Sequence, residues 1–273
     1  MNRIDKVFEG LKNEGRKALI PYIAAGDPDL STTEDLIFEL EAQGADIIEL
    51  GIPFSDPIAD GPTIQKASMR ALEGGVKVKK VLELINKIRK GKNRNHLSLE
   101  IPIVVMSYYN PIIHYGLERF IRDFKFAGGD GIIVPDLPPD EADEILFHAR
   151  KHEIDIIFML APTSSAERTK KICDASSGYI YYVSVLGVTG ARDYLSTSLE
   201  EKVRFIRKFT KKPIAVGFGI STPAQVRAVA SIADGVIVGS ALIKVIEENL
   251  KSPKMVKKVG EFLKAMKKGM KEA

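Results

Sequence analysis

The feature that most constrains the fold of this chain is a repeated alternation of short apolar runs with helical stretches. Eight such runs occur in the 273 residues, and each is followed by a polar turn and then by a helical pattern. Apolar runs of about four to eight residues, rich in isoleucine and valine, are typical of strands buried on both faces. Their alternation with helices predicts parallel β–α–β units. The runs cover residues 18–25, 46–51, 103–107, 131–134, 154–160, 179–184, 214–217 and 235–238.

Eight strand–helix units in about 240 residues predict an α/β protein with a closed (β/α)8, or TIM, barrel. An open doubly wound sheet usually carries a glycine-rich dinucleotide turn after its first strand. Here the first run leads into Ala-Ala-Gly-Asp-Pro at residues 24–28 instead. We expect one barrel domain over residues 1–273, with an extra N-terminal helix over residues 2–12. Apolar residues at helical spacing from Met255 to Met266 predict an amphipathic C-terminal helix.

Several helix starts carry the sequence signal of an N-terminal cap. Ser31, Ser164 and Ser198 are each followed three residues later by a glutamate, which is the spacing of a capping box. Thr222 precedes a proline, which is favoured at the first helical position. Each of these four residues is therefore predicted to cap a helix.

The charge balance argues against a nucleic-acid-binding protein. The formal net charge is +4, but the segment from Lys251 onward holds eight lysines and two glutamates. The 250 residues before it therefore carry a net charge of −2. Lysines between the apolar positions of the C-terminal helix are expected to be solvated rather than to bind anions.

The remaining composition predicts a cytoplasmic protein. Cys173 is the single cysteine, so no intrachain disulfide can form. No apolar run approaches the roughly 20 residues of a membrane-spanning helix. The first eight residues are charged and mixed, unlike a signal peptide.

Carboxylates are the candidate catalytic groups. In a barrel of this kind the active site lies at the carboxyl ends of the strands. Glu49 lies inside the second apolar run, where an ionised carboxylate is costly unless it is paired or protonated. Asp60 follows in a proline-rich loop, and the two could form an acid/base pair. Alternatively, Glu49 could bond a neighbouring backbone or arginine, and Asp60 could form a turn. Asp136, at the end of the fourth run, is a candidate for a supporting role.

The sequence lacks the residues that two other catalytic classes need at the strand ends. No lysine stands at the carboxyl end of a predicted strand, which argues against a Schiff-base aldolase. No cluster of histidine, aspartate or glutamate at the strand ends predicts a metal site. His148 and His152 have the spacing of a zinc-binding helix, but that helix is expected in the outer ring.

Glycine turns after the last three strands predict a phosphate site. The turns lie at residues 186–190, 217–221 and 238–241. Glycine lets the backbone approach an anion, and a helix start presents free N–H groups. Three such turns on the last strands are typical of the phosphate cup of this barrel.

Five stretches resemble the tryptophan synthase α-subunit family. They cover residues 21–28, 44–65, 106–111, 187–192 and 217–221, and the second is highly specific. The resemblance implies cleavage of indole-3-glycerol phosphate to indole and glyceraldehyde 3-phosphate, with Glu49 as the acid/base and Asp60 facing the indole N–H. Tyr22 stands where phenylalanine is often seen. The other residues implied are Tyr22, Tyr108, Ile133 and Tyr181 for the indole pocket, Gly190, Gly219, Gly239 and Ser240 for phosphate, and Thr189 for loop closure.

The resemblance also implies a partner. A β subunit would use pyridoxal phosphate to join indole to serine in an α2β2 assembly, and no cofactor is expected in this chain. The implied contacts are Pro53, Asp56, Pro57 and Asn110. A lyase that releases indole without any partner would carry the same residues. An isomerase of phosphorylated sugars would use the same phosphate cup, and a catalytically silent activator of a β subunit would not need both carboxylates.

Overall fold

Parallel strands form the central barrel of the computed structural model, which describes residues 1–92, 96–184, 192–217 and 219–271. Within these ranges the strands are β1 (Ala18–Ala24), β2 (Ile48–Gly51), β3 (Ile103–Met106), β4 (Gly131–Ile133), β5 (Asp155–Ile157), β6 (Met159–Leu160), β7 (Ile180–Val183), β8 (Ile214–Gly217) and β9 (Gly235–Val238). Their order in the sheet is β5-β4-β3-β2-β1-β9-β8-β7-β6. The two strands at the ends of this order are separated in the chain by Phe158 alone, so the sheet returns on itself there. The predicted barrel is confirmed, with the run at 154–160 split into two short strands.

Helices surround the barrel. Those in the described residues are α1 (Arg3–Asn13), α2 (Leu30–Ala42), α3 (Pro62–Glu73), α4 (Val78–Arg89), α5 (Tyr109–Tyr115), α6 (Leu117–Ala127), α7 (Asp143–Lys151), α8 (Ala166–Ala175), α9 (Arg192–Arg207), α10 (Pro223–Ala230), α11 (Ser240–Glu247) and α12 (Met255–Lys271), with a 3-10 turn at Pro139–Glu141. No helix in these parts of the chain is both long and apolar enough to cross a membrane.

The two predicted terminal helices are present. α1 lies across the amino-terminal end of the barrel, where Ile4 is fully buried and the Phe8 ring lies 5.6 Å from the ring of Tyr179. α12 packs against α2, α10 and α11. Its Lys267 Nζ lies 2.6 Å from Asp46 Oδ2, which ties the C-terminal helix to the start of the second strand. Both helices bury an apolar face, α1 against the barrel and α12 against the outer helices.

Three of the four predicted caps are wrong. α2 is capped by Asp29, whose carboxylate accepts the Thr32 N–H, so Ser31 falls in the first turn. Ser165 rather than Ser164 caps α8, and α9 begins at Arg192, which leaves Ser198 inside the helix. Asp and Ser are about equally good caps, so a suitable neighbour one or two residues away competes on equal terms. Thr222 is confirmed as the cap of α10.

A buried ion pair holds the amino-terminal end of the barrel together. Arg89 of α4 and Asp130, which precedes β4, lie 2.8 Å apart with side chains only 6% and 5% exposed. Asp130 also accepts the Ile103 N–H at 2.9 Å and pairs with Arg3 of α1 at 2.9 Å. One carboxylate therefore joins α1, α4 and the start of β3.

Replacing Asp130 with asparagine should lower the free energy of unfolding by about 3–5 kcal/mol, because Arg89 would stay charged and buried without a carboxylate. Urea denaturation of the full chain measures this change. Asp140→Asn is the matched control, since Asp140 pairs with Arg168 on the surface and its loss should leave the unfolding midpoint nearly unchanged. Equal midpoints for the two variants would contradict the structural role of Asp130.

Candidate functional site

A cavity of about 270 Å³ opens at the carboxyl ends of the barrel strands. Its walls include the predicted residues Tyr22, Glu49, Asp60, Tyr181, Gly219, Gly239 and Ser240. These residues come from β1, from β2 and the loop after it, from β7, and from the turns after β8 and β9. The barrel thus brings together groups that are up to about 220 residues apart in the chain.

Glu49 lies at the base of the cavity. It is paired in register with Tyr22 on one side and Val104 on the other, and it is 1% exposed. Its Oε2 is buried and has no hydrogen-bond partner among the described residues. Burial raises the pKa of this carboxyl to about 8, and the nearby charge of Asp60 adds to the increase. Glu49 is therefore protonated near neutral pH and can act as an acid.

The loop after β2 places Asp60 in the wall of the same cavity as Glu49. The Tyr108 hydroxyl donates a hydrogen bond to Asp60 Oδ2 at 3.2 Å and accepts the Ala59 N–H at 2.8 Å. The ring of Phe54 packs 5.3 Å from the ring of Tyr108. Burial raises the pKa of Asp60 to about 6, while the hydrogen bond from Tyr108 opposes the increase. Asp60 is thus mostly ionised at neutral pH, and the two carboxyl groups differ in charge.

The helix that follows Asp60 is anchored to the turn after β1. Gln65 of α3 donates to the backbone oxygen of Asp60 at 2.9 Å. Further along α3, Arg70 binds the fully buried Asp27 through two hydrogen bonds of 2.7 and 2.9 Å. The same guanidinium lies 3.6 Å from Glu247 at the end of α11. These bonds fix α3 between the first strand and the helix that follows the last strand.

Two tyrosines occupy space that glycines leave open. A Cβ on Gly51 would lie 2.2 Å from the Tyr22 hydroxyl, and one on Gly217 would lie 2.6 Å from the Tyr181 hydroxyl. Each glycine is at the end of a strand next to the tyrosine's own strand. Both phenols are almost fully buried and lie against the inner wall of the cavity.

The other end of the cavity is built from backbone. Gly219 has φ +73°, a left-handed conformation that favours glycine, and it lies in the turn after β8. α11 begins at Ser240, with Gly239 as its cap, and both residues line the cavity. The first turn of a helix presents unpaired N–H groups and a favourable dipole to an anion. Gly190 and Thr189, also predicted here, lie outside the described residues.

Among the described residues, the walls of the cavity hold neither a basic side chain nor a metal site. Over the described part of the chain, no lysine, arginine or histidine lines the cavity. Likewise, no group of three His, Cys, Asp or Glu side chains in those ranges is arranged to hold a metal ion. The titratable groups among the described lining residues are therefore two carboxyls of different pKa and two phenols.

Known proteins match this chain along its whole length. A family profile described as Tryptophan synthase alpha chain matches residues 8–271. The tryptophan synthase alpha chain of Geotalea uraniireducens (strain Rf4) is 49% identical over 271 residues, covering 99% of this chain and 98% of that protein. That of Caldanaerobacter subterraneus subsp. tengcongensis is 49% identical over 267 residues, covering 98% and 99%.

A solved structure of a tryptophan synthase alpha subunit is also similar to this chain. Tryptophan synthase subunit alpha from Legionella pneumophila str. Paris is 41% identical and covers 100% of both chains with a TM-score of 0.91. The chain belongs to the tryptophan synthase alpha chain family. It is a carbon–carbon lyase of tryptophan biosynthesis, and the reaction of this family is the cleavage of indole-3-glycerol phosphate.

Three predicted positions fall outside the wall of the cavity: Ile133, Asp136 and Tyr108. Ile133 is fully buried in β4 and is not among the lining residues of this tryptophan synthase alpha chain. Asp136 is exposed, and its carboxylate accepts the Tyr109 N–H at 2.9 Å, so it caps the start of α5. Tyr108 reaches the site through its hydrogen bond to Asp60.

Sequence reasoning missed the apolar part of the wall. Its members come from β3, β6 and β9, from the turns after β4 and β8, and from the start of α3: Ile64, Met106, Pro135, Met159, Ile220 and Ile237. Met106 and Met159 stand in predicted strands, where inward and outward positions alternate. That alternation could have suggested them, but it does not show how far a side chain lies from the open end of the barrel.

Proposed function

We propose that Glu49 and Asp60 cleave indole-3-glycerol phosphate to indole and glyceraldehyde 3-phosphate by acid/base catalysis. The observation that carries this proposal is the pair of carboxyls at one end of an apolar cavity, one protonated and one ionised near neutral pH. A retro-aldol cleavage needs a proton donor and a negative charge at these positions.

In the proposed reaction Glu49 both gives a proton and takes one back, so it ends the reaction in its starting state. Its carboxyl gives a proton to carbon C3 of the indole, and positive charge develops on the ring nitrogen. The carboxylate of Asp60 accepts the indole N–H and stabilises that charge. The adjacent glycerol hydroxyl then returns a proton to Glu49 as its oxygen becomes the aldehyde oxygen. The bond between C3 and the glycerol chain breaks, and its electron pair restores the aromatic ring.

The two ends of the substrate suit the two ends of the cavity. The apolar residues and the rings of Tyr22 and Tyr181 fit an indole. Tyr108 holds Asp60 in place through its hydrogen bond. The phosphate would bind at Gly219, Gly239 and the start of α11. Gly190 and Thr189 belong to this proposal through the family resemblance alone.

A β subunit is the proposed partner, in an α2β2 assembly. The loop after β2 presents Asp56 and the 84% exposed Ile58, and α5 presents Asn110 and the 46% exposed Ile113. An exposed apolar side chain on each of these segments suits a protein interface. Pro57 is half-buried in the same loop, and the buried Pro53 would shape it from beneath. Pyridoxal phosphate would be held by the partner, where it joins indole to serine.

The test is indole release from indole-3-glycerol phosphate by the purified chain, measured with and without a β subunit of a related organism. We expect slow release by the chain alone and strong activation by the partner. Release at the same rate in both conditions would identify a lyase that works alone and would overturn the proposed partner. No indole in either condition would overturn the proposed reaction.

A further inference from the structure

Tyr22 spans the cavity from its phosphate end to its carboxylates. A Cβ on Gly239 would lie 3.5 Å from Tyr22 Cβ, so the base of the side chain lies next to the start of α11. The hydroxyl lies at the opposite end of the ring, against Gly51 at the end of β2. The ring therefore runs between the two regions that the proposed function assigns to the phosphate and to the reacting carbon.

Tyr22 lines the cavity, where its hydroxyl can bind a ligand. The residue is 4% exposed, and its hydroxyl makes no hydrogen bond to any of the described residues. Its pKa is raised well above the ordinary value, mainly by burial and then by the charges of Asp60 and Glu49. The group is consequently a neutral phenol near both carboxylates. A donor in a cavity wall that has no partner among the described residues points to a ligand or water that it bonds.

The proposed substrate must follow the same path as the Tyr22 ring. Its glycerol chain joins the phosphate to the indole, so the hydroxyl next to the indole lies at the carboxylate end. That oxygen gains negative charge as it loses its proton to Glu49. While this charge develops, Asp60 is ionised and Glu49 has not yet gained the proton, so neither carboxylate can donate a hydrogen bond to the oxygen.

We propose that the Tyr22 hydroxyl is a third catalytic group, which donates a hydrogen bond to the glycerol oxygen that becomes the aldehyde oxygen. The inference rests on the proposed cleavage reaction. Tyr22 keeps its own proton throughout, so both proton transfers are still made by Glu49. In the reverse direction the same bond polarises the aldehyde carbonyl for attack by C3 of indole.

Register favours Tyr22 over Tyr181 for this role. Tyr22 is paired directly with Glu49 between adjacent strands, whereas Tyr181 lies on β7 and is paired with Met159 and Ala215. The Tyr181 hydroxyl lies against Gly217, on the β8 side of the barrel.

The test compares Tyr22→Phe with the unaltered chain in two assays. We expect kcat for indole release to fall roughly 10- to 100-fold, as for the loss of one hydrogen bond to a developing charge, with KM changed less. Binding of an indole-propyl phosphate that lacks both glycerol hydroxyls should be unchanged, because the bonded oxygen is absent from that ligand. Tyr182→Phe is the control, since this buried tyrosine is next to Tyr181 on β7 but is not among the lining residues.

Two results would overturn the role of Tyr22. One is a Tyr22→Phe chain with the kcat of the unaltered protein. The other is a loss of kcat accompanied by an equal loss of affinity for the indole-propyl phosphate, which would indicate ring packing only. Either result leaves the proposed function intact as long as the unaltered chain releases indole and Glu49→Gln does not.

Discussion

Glu49→Gln is expected to reduce indole release by about 10³-fold or more, with little change in substrate affinity. Glutamine has nearly the same shape but can neither give a proton to C3 nor take one from the glycerol hydroxyl. A single general acid/base typically contributes about 10²–10⁴-fold. Glu49 takes part in both proton transfers, so the reduction in activity of Glu49→Gln should lie toward the upper end of that range. Steady-state assays at pH 7 measure kcat and KM for the variant and the unaltered chain.

The same substitution should make the protein more stable, which separates lost chemistry from lost folding. The pKa of Glu49 is about 8 in the folded chain, against an ordinary value of 4.5. Between these values the folded state holds a proton that the unfolded state lacks, so stability falls as the pH rises through this window. Glutamine removes that dependence. We therefore expect the Glu49→Gln chain to have the higher unfolding midpoint, with a difference that grows from pH 5 to pH 8.

Thermal denaturation of both proteins across this pH range provides the measurement. An inactive Glu49→Gln chain with a lower midpoint at every pH would mean that Glu49 supports the fold rather than the reaction. Retention of most of the activity would remove Glu49 from the mechanism altogether.

Asp60→Asn is expected to lower kcat by about 10²- to 10⁴-fold, because an amide cannot neutralise the positive charge that develops on the indole nitrogen. The pH profile gives a second readout. The pKa of Asp60 is about 6 and that of Glu49 is about 8. The unaltered chain needs Asp60 ionised and Glu49 protonated, so kcat/KM should rise near pH 6 and fall near pH 8.

In Asp60→Asn the remaining activity should lose the rise near pH 6, since asparagine does not titrate. Asp174→Asn is the control, because Asp174 pairs with Lys170 on the exposed side of α8 and is not among the residues that line the cavity. Full activity in Asp60→Asn, or an acidic limb that persists unchanged, would assign the charge near the indole nitrogen to another group.

Local patterns were sufficient to predict the barrel and several of the residues that line the cavity. The predicted strands are present because a strand between two layers must be apolar on both faces, and this requirement is visible in consecutive residues. Glu49 could be singled out for the same reason, as a charged residue inside such a run. The helix starts at Ser31 and Ser198 were mispredicted, because a capping spacing recurs by chance and neighbours such as Asp29 compete for the role.

The sequence by itself determined the barrel, the two carboxyls and the glycine turns, because each depends on residues close together in the chain. Only the tertiary structure decided what those groups can do. Tyr108 hydrogen-bonds Asp60, which is 48 residues away in the chain, and the Tyr22 hydroxyl lies against Gly51 of the neighbouring strand. The pKa values of Glu49 and Asp60 likewise arise from burial by distant elements and from each other's charge. Electrostatic energies depend on distance and solvent exposure in space, and a linear pattern contains neither.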